Sequence, residues 1–407
     1  MNQTYAHIAP DNDDYWSYLS AHFPTSPDFI NLENGYCGVL AQPVLNALQR
    51  YQAEINSESS YFLRTRWQDK YQQVKLALAA FCGVDASELL ITRNLTEAFG
   101  TLLHAYPFKA GDEIVYADVD YDSVQQLLIK LGSTKKLTLT RLSIAKQDLS
   151  DEALLARYES AITSATRVIL LTHVLHKNGQ ILPVAKIAAM AKGYQVDVMV
   201  DAAHSFAHLD YQIPDLASDF VAVNLHKWLG APLGTGMLYI GNARLPDMQS
   251  PSASDVINIE ELGCAGTFSP APVLAIADAI RFHQSLGTRN IEQRLRYLSQ
   301  YWLQQLAHLP EIRQHTPADP QRSCAIRAIS IDGMTAHDVV DYLMSEHQIF
   351  TVTRSIEGQE VVRITPHVFT SKAALDGLVI ALKKLITILR FTSTTFHDLP
   401  HRMKNRI

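Results

Sequence analysis

Cysteine is scarce in this chain of 407 residues: Cys37, Cys82, Cys264 and Cys324 are scattered without a C-x-x-C spacing. That pattern excludes a disulfide framework and a structural zinc site, and it fits a reducing compartment. No stretch of ~18 uncharged apolar residues occurs, so no membrane-spanning helix is expected. Met1 to Asp14 is polar and acidic, without the basic start and apolar run of a secretory leader, and the expected location is cytoplasmic. Blocks of one charge sign are missing too. The 35 basic and 41 acidic side chains leave a formal charge of -6, and no basic run is dense enough to track a phosphate backbone, which argues against nucleic acid as a partner. No G-x-G-x-x-G opens a helix, because Gly234-Thr-Gly236 precedes a strand; this weighs against a nicotinamide-dependent oxidoreductase. Repeats and low-complexity tracts are absent as well.

What is present is an ordinary globular composition, 47% hydrophobic and 19% charged, which rules out disorder for most of the chain. From about Glu88 onward, short apolar runs alternate with helical patterns. Leu89 to Thr92 precedes a helix at Thr96 to Tyr106, Glu113 to Ala117 precedes Asp122 to Leu131, and Leu137 to Leu142 precedes Asp151 to Thr163. Further strands follow at Val168 to His173, Val196 to Asp201, Phe220 to Asn224 and Met237 to Ile240, with a helix after Pro183. Strands apolar on both faces belong to an α/β sheet covered by helices on both sides. After Gly266 the pattern turns to a long helical stretch, Ala271 to Leu306. Short strands near Cys324 to Ile331 and Val361 to Ile364 and helices at Ala336 to Glu346 and Ser371 to Leu389 complete a smaller α+β unit. The tail from Thr392 to Ile407 shows no pattern.

In open sheets of this kind ligands sit beyond the carboxyl ends of the strands. Two strands end there in ionisable groups: Val198-Met-Val-Asp201-Ala-Ala-His204, and Asn224-Leu-His226-Lys227-Trp228. A buried carboxylate and an amine on successive strand tips suit pyridoxal phosphate, whose aldehyde needs a lysine and whose pyridine nitrogen needs an anion. His208 follows His204 by four residues, but no third ligand has suitable spacing and no metal is expected.

These segments carry a resemblance. Asn34-Gly35, Tyr61-Phe-Leu-Arg64, Thr92-Arg-Asn-Leu-Thr96, Thr172-His-Val-Leu-His176, Asp201-Ala-Ala-His204, His226-Lys227-Trp228 and Arg363-Ile-Thr-Pro-His resemble the class V aminotransferases of pyridoxal-phosphate fold type I, in particular the isopenicillin N epimerase-like members. The resemblance implies a large cofactor-binding domain over 31–265, a small C-terminal domain over 266–407, and an N-terminal segment 1–30 packing with the latter. It implies that Lys227 forms the Schiff base and then shuttles the α-proton, that Asp201 holds the pyridinium, and that His204 and His176 approach the ring hydroxyl. Asn94, Leu95 and Thr96 at a helix start, with Asn224 and His226, would receive the phosphate. Thr267 would reach the phosphate of a neighbouring subunit, so a homodimer with composite sites is expected. Tyr121 stands where relatives place the ring-stacking residue. Arg363 would fork onto the substrate α-carboxylate. Asn34 and Gly35 would line the substrate side, and Arg64 or Arg354 would meet a second acidic group.

The implied reaction starts at the α-carbon of an amino acid, as epimerisation or transamination, with C-S β-elimination of a cysteine-derived substrate as the alternative. A catalytically inert binding protein of the same fold is the reading from another class. Cysteine desulfurases need a thiol on the loop near the carboxylate-binding arginine, and Thr353-Arg-Ser-Ile-Glu-Gly-Gln-Glu has none. Cys324 reads as a buried inert thiol, while Cys37 lies in a turn that could line the site and leaves a reactive role open.

Overall fold

A computed structural model describes residues 7–145, 149–249, 258–263, 266 and 268–397. The chain opens with helix α1 (Asp13–Ser20), whose cap Asn12 accepts from the Tyr15 amide. Trp16 on this helix is buried beneath the Arg294 guanidinium, 5.4 Å from the ring centroid. The short strand β1 (Ile30–Asn31) follows, then three helices, α2 (Gln42–Glu58), α3 (Ser60–Thr65) and α4 (Trp67–Cys82). The strand and helix alternation that begins near Glu88 gives no warning of these three.

The central body alternates β2 (Leu89–Thr92), α5 (Leu95–Ala105), β3 (Glu113–Ala117), α6 (Asp122–Lys135), β4 (Thr138–Leu142), α7 (Asp151–Ser160), β5 (Thr166–Thr172), α8 (Val184–Gly193), β6 (Asp197–Asp201), β7 (Phe220–Asn224) and β8 (Gly236–Ile240). Every strand expected from the sequence in this region forms, with ends shifted by a residue or two. They join in one sheet of order β2-β8-β7-β6-β5-β3-β4, parallel throughout except for β8, which runs against both neighbours. Burial on both faces explains the uninterrupted apolar runs. Along β7, Val221 and Val223 enter one core cluster while Phe220 and Ala222 enter the other, because successive side chains leave opposite faces of a strand.

Register then sets the site. Thr172 at the tip of β5 pairs with Asp201 at the tip of β6, and Asp201 pairs with Ala222 of β7. Because β8 is antiparallel, its first residue Gly236 lies between Asn224 of β7 and Thr92 of β2. The carboxyl ends of β2, β5, β6 and β7 therefore meet at one edge. Glycine is needed at 236, where a Cβ would lie 2.8 Å from the Cα of Asn94.

The expected single helical stretch from Ala271 is three helices, α9 (Pro270–Leu274), α10 (Ile276–Leu286) and α11 (Thr288–Gln304). The last break is Gly287, with φ at +80°, a conformation that costs glycine little. Helices α9 and α10 pack against α2 and α4. Strands β9 (Ile312–Gln314), β10 (Arg327–Ile331), β11 (Ile349–Phe350), β12 (Val352–Ile356) and β13 (Gln359–Ile364) and helices α12 (Ala336–His347) and α13 (Lys372–His397) follow. An antiparallel sheet of order β12-β13-β10-β9 shares a separate apolar core with α11, α12 and α13 around Trp302, Leu343 and Leu382. The amino-terminal segment is tied here: β1 pairs with β11, Ile8 donates to Asn290, and Arg294 donates to the Pro10 carbonyl. Helix α13 continues to His397, past the apolar periodicity that ends near Leu389.

Candidate active site

The strand tips open onto a cavity of 750 Å³ lined by Asn94, Leu95, Thr96, Tyr121, His176, Asp201, His204, Asn224, His226, Lys227, Arg354 and Arg363, with Gly35 at its rim. The structure thus brings together most of the residues singled out from the sequence. Arg64 is placed elsewhere, exposed on α3 and outside the cavity lining. The side chain of Asn34 is fully buried and binds the Thr365 carbonyl at 2.9 Å, so it fastens the turn before Gly35 to the end of β13. Thr267 lies outside the described residues.

Lys227 Nζ stands 3.0 Å from His204 Nε2, and Trp228 Nε1 donates to His204 Nδ1 at 3.4 Å. An indole nitrogen only donates, so Nδ1 is the acceptor and the His204 proton resides on Nε2. That Nε2–H faces Nζ, which can accept it only in the unprotonated form of the amine. Burial holds Lys227 down at about 8, opposed by the charge of Asp201, and His204 lies well below the usual imidazole range through burial and the nearby cations Lys227 and Arg363. Asp201 is 3% exposed. Burial raises it to about 6, while the Ala203 amide, donating to Oδ1 at 3.0 Å, and Lys227 act the other way.

Trp228 is itself clamped between His208, whose ring stacks at 3.8 Å between centroids, and His367 at 5.7 Å. His208 has both nitrogens engaged, Nδ1 donating to the His204 carbonyl and Nε2 accepting from the Ala325 amide. It supports the pocket floor as a neutral ring. Among the described residues no group of three or more His, Cys, Asp or Glu gathers as a metal site.

At the start of α5, Asn94 caps the helix through the Glu97 amide at 2.9 Å and Asn224 accepts from the Leu95 amide at 2.8 Å. His226 donates Nδ1 to the Thr235 carbonyl at 2.8 Å. These contacts engage the Leu95 and Glu97 amides and fix the amino terminus of α5 at the cavity wall, where the helix dipole favours an anion. Across the cavity the Tyr121 ring meets His176 edge to face, centroids 5.3 Å apart, and His176 lies parallel to His204 at 6.4 Å. Nδ1 of His176 is buried with no partner among the described residues, as expected of a side chain built to meet a ligand.

Several residues that matter here went unnoticed in the sequence. Glu33 binds Arg363 through Nε at 3.3 Å and through Nη2, and no local pattern marks it. Asp120 accepts from Thr172 Oγ1 at 2.6 Å and from the Ala117 amide at 2.7 Å, which pins the turn that presents Tyr121; burial raises it to about 7. Gly38 was part of a noted turn, but only the structure shows why it is glycine: a Cβ would lie 2.5 Å from the Lys227 carbonyl oxygen.

The residues fit pyridoxal phosphate: an amine whose charge burial disfavours, a buried carboxylate on the neighbouring strand tip, an anion-receptive helix start and an unsatisfied imidazole between them. Fold and site together define a pyridoxal-phosphate-dependent enzyme of fold type I. The chain belongs to the aminotransferase class-V family, whose model matches residues 38–377. It is 25% identical over 390 residues to isopenicillin N epimerase of Streptomyces clavuligerus, covering 91% of this chain and 98% of that one. Among solved structures it resembles the apo cysteine desulfurase of Thermococcus onnurineus NA1, with a TM-score of 0.83 at 21% identity over 94% of this chain and all of that one. A second, at 0.81 and 21%, covering 89% and 98%, is a lysine-to-alanine mutant with glycine covalently linked to its PLP cofactor. The similarity to these solved structures establishes the shared fold.

Proposed function

We propose that the enzyme removes and returns the α-proton of an amino acid, in the manner of an epimerase or racemase. The observation that carries this is the contact between Lys227 and His204: a buried amine of lowered basicity held 3.0 Å from a fixed imidazole, at the mouth of the strand tips where the α-carbon would lie. When bound, pyridoxal phosphate supplies the aldehyde that captures the substrate amine and a ring that draws electron density from the α-carbon. Asp201 would hold the ring nitrogen protonated, and His204 and His176 would stand on the side of the ring oxygen, where His176 Nδ1 has no partner among the described residues. Arg363 orients the α-carboxylate, and Lys227 accepts the α-proton at Nζ and gives one back.

Two further features support this reading over sulfur transfer. No cysteine is among the described residues lining the cavity, and burial, then the charge of Glu33, pushes the Cys37 thiol up, away from the thiolate that attack on sulfur requires. Cys324 is buried, contacts the Gly179 carbonyl and is raised to about 11. The testing experiment incubates the holoenzyme with single amino acids in heavy water. Deuterium at the α-carbon with inverted configuration is the expected result. A keto acid would indicate transamination, and pyruvate with a released thiol would indicate β-elimination; either overturns the proposal.

The reading extends to a cytoplasmic homodimer. It is supported by exposed Tyr36 and Leu233 in the cavity lining, apolar side chains left uncovered at the site itself. Among the described residues no helix is long and apolar enough to cross a membrane. A monomer by light scattering at micromolar concentration would contradict the dimer.

A further inference from the structure

Arg363 is 1% exposed and Glu33 is 7% exposed, and their contact closes a loop of 330 residues. The guanidinium is fixed from three directions. Glu33 takes Nε and Nη2, the His176 carbonyl takes Nη1 at 2.8 Å, and Gly35 packs so closely that a Cβ there would lie 2.9 Å from Nη2. Five N–H groups are available on an arginine. Three are engaged, leaving one on each terminal nitrogen for a ligand in the cavity that Arg363 lines.

A second arginine joins the same carboxylate: Arg354 Nη2 is 3.7 Å from Glu33 Oε1. Two guanidinium charges against one carboxylate leave a single positive charge. Of the other cationic side chains of the lining, Lys177 pairs with Asp122 at 3.4 Å and Arg93 with Glu97 at 2.9 Å, Lys227 is reserved for the cofactor aldehyde and feels the charge of Asp201, and His226 stands at the α5 end of the site. One substrate carboxylate satisfies the Arg363 and Arg354 pair. A second carboxylate nearby would find no net positive charge left, because Glu33 behind Arg363 already offsets one guanidinium in a medium that screens charge poorly.

Resting on the carboxylate-binding reading of Arg363, we infer that Glu33 is a specificity-determining residue that restricts the enzyme to amino acids with an uncharged side chain and a single carboxylate near the α-carbon. Glu33 both orients Arg363 and removes the surplus charge that would otherwise attract aspartate or glutamate.

Isosteric amide and acid pairs test this with little change in shape. Equilibrium binding of asparagine against aspartate, and of glutamine against glutamate, is read from the change in cofactor absorbance of the holoenzyme. The wild type is expected to bind each amide at least about tenfold more tightly than its acid. Glu33→Gln should shrink that ratio by about tenfold, whereas Glu33→Asp, which keeps the charge, should retain the preference. Equal affinity for amide and acid in the wild type overturns the inference, even if Glu33→Gln fails to fold. So does an unchanged ratio in a folded Glu33→Gln holoenzyme. If no amino acid alters the absorbance, the carboxylate-binding reading itself falls, and this inference falls with it.

Discussion

Lys227 Nζ and His204 Nε2 are 3.0 Å apart, and the direction of that hydrogen bond is set by a third ring. Because Trp228 occupies His204 Nδ1, the imidazole donates and the lysine accepts. Burial disfavours the lysine's charge, so its neutral amine forms nearer neutrality than that of an exposed lysine and becomes nucleophilic once the hydrogen bond to His204 is released.

The pH dependence of cofactor capture follows from the same pair. Lys227 is depressed to about 8 from its ordinary 10.5, so its reactive neutral form fills in at lower pH than that of an exposed lysine. The rate of pyridoxal-phosphate capture by apo protein, followed by stopped-flow absorbance, should rise with pH through a midpoint near 8 and level by about pH 9 to 10. A rate still climbing at pH 10 would show that the amine is not buried as described.

Replacing Trp228 by Phe removes the N–H that selects the tautomer of His204. Turnover should fall by about five- to tenfold, the worth of one hydrogen bond of ~1 kcal/mol, and the inflection near pH 8 should move. In a His204→Gln background the same replacement should add little, since the ring it controls is gone. Additive losses in the double variant would place the role of Trp228 in packing alone.

Gly38→Ala places a methyl against the Lys227 carbonyl, and neither contacting group is a flexible side-chain end. The expected cost is ~1 to 3 kcal/mol, seen as a lower melting temperature and weaker cofactor retention after gel filtration. An unchanged melting temperature and full retention would mean that the turn yields freely.

Arg363→Lys keeps the charge but loses the planar fork. KM for the amino-acid substrate should rise by about ten- to a hundredfold, while the visible spectrum of the bound cofactor stays the same. A KM within twofold of wild type would remove Arg363 from the carboxylate site.

Lys227→Ala should abolish the absorbance of the lysine-bound cofactor and lower turnover by about three orders of magnitude or more. Borohydride treatment should then leave no cofactor on the protein. Covalent label retained on the variant would identify a different lysine.

Sequence alone determined the alternation of the central body and the chemistry at its strand tips. Both are local: a strand buried on two faces must be apolar along its run, as Phe220 to Val223 of β7 is, and a charged residue at or just beyond the end of such a run, as Asp201 and Lys227 are, has only the end of the sheet to occupy. Helices α2, α3 and α4 were not legible this way. Their buried stripes are short and interrupted by polar residues, and their partners α9 and α10 lie some two hundred positions downstream. Only the tertiary structure decided that β8 runs backwards and so brings Asn94 beside Asn224, that Trp228 and not Lys227 governs the proton on His204, and that Glu33 holds Arg363. Each of these depends on which distant groups meet at hydrogen-bonding distance once the chain has packed. A carboxylate in a turn and an arginine in a strand read the same in sequence whether they face each other or water.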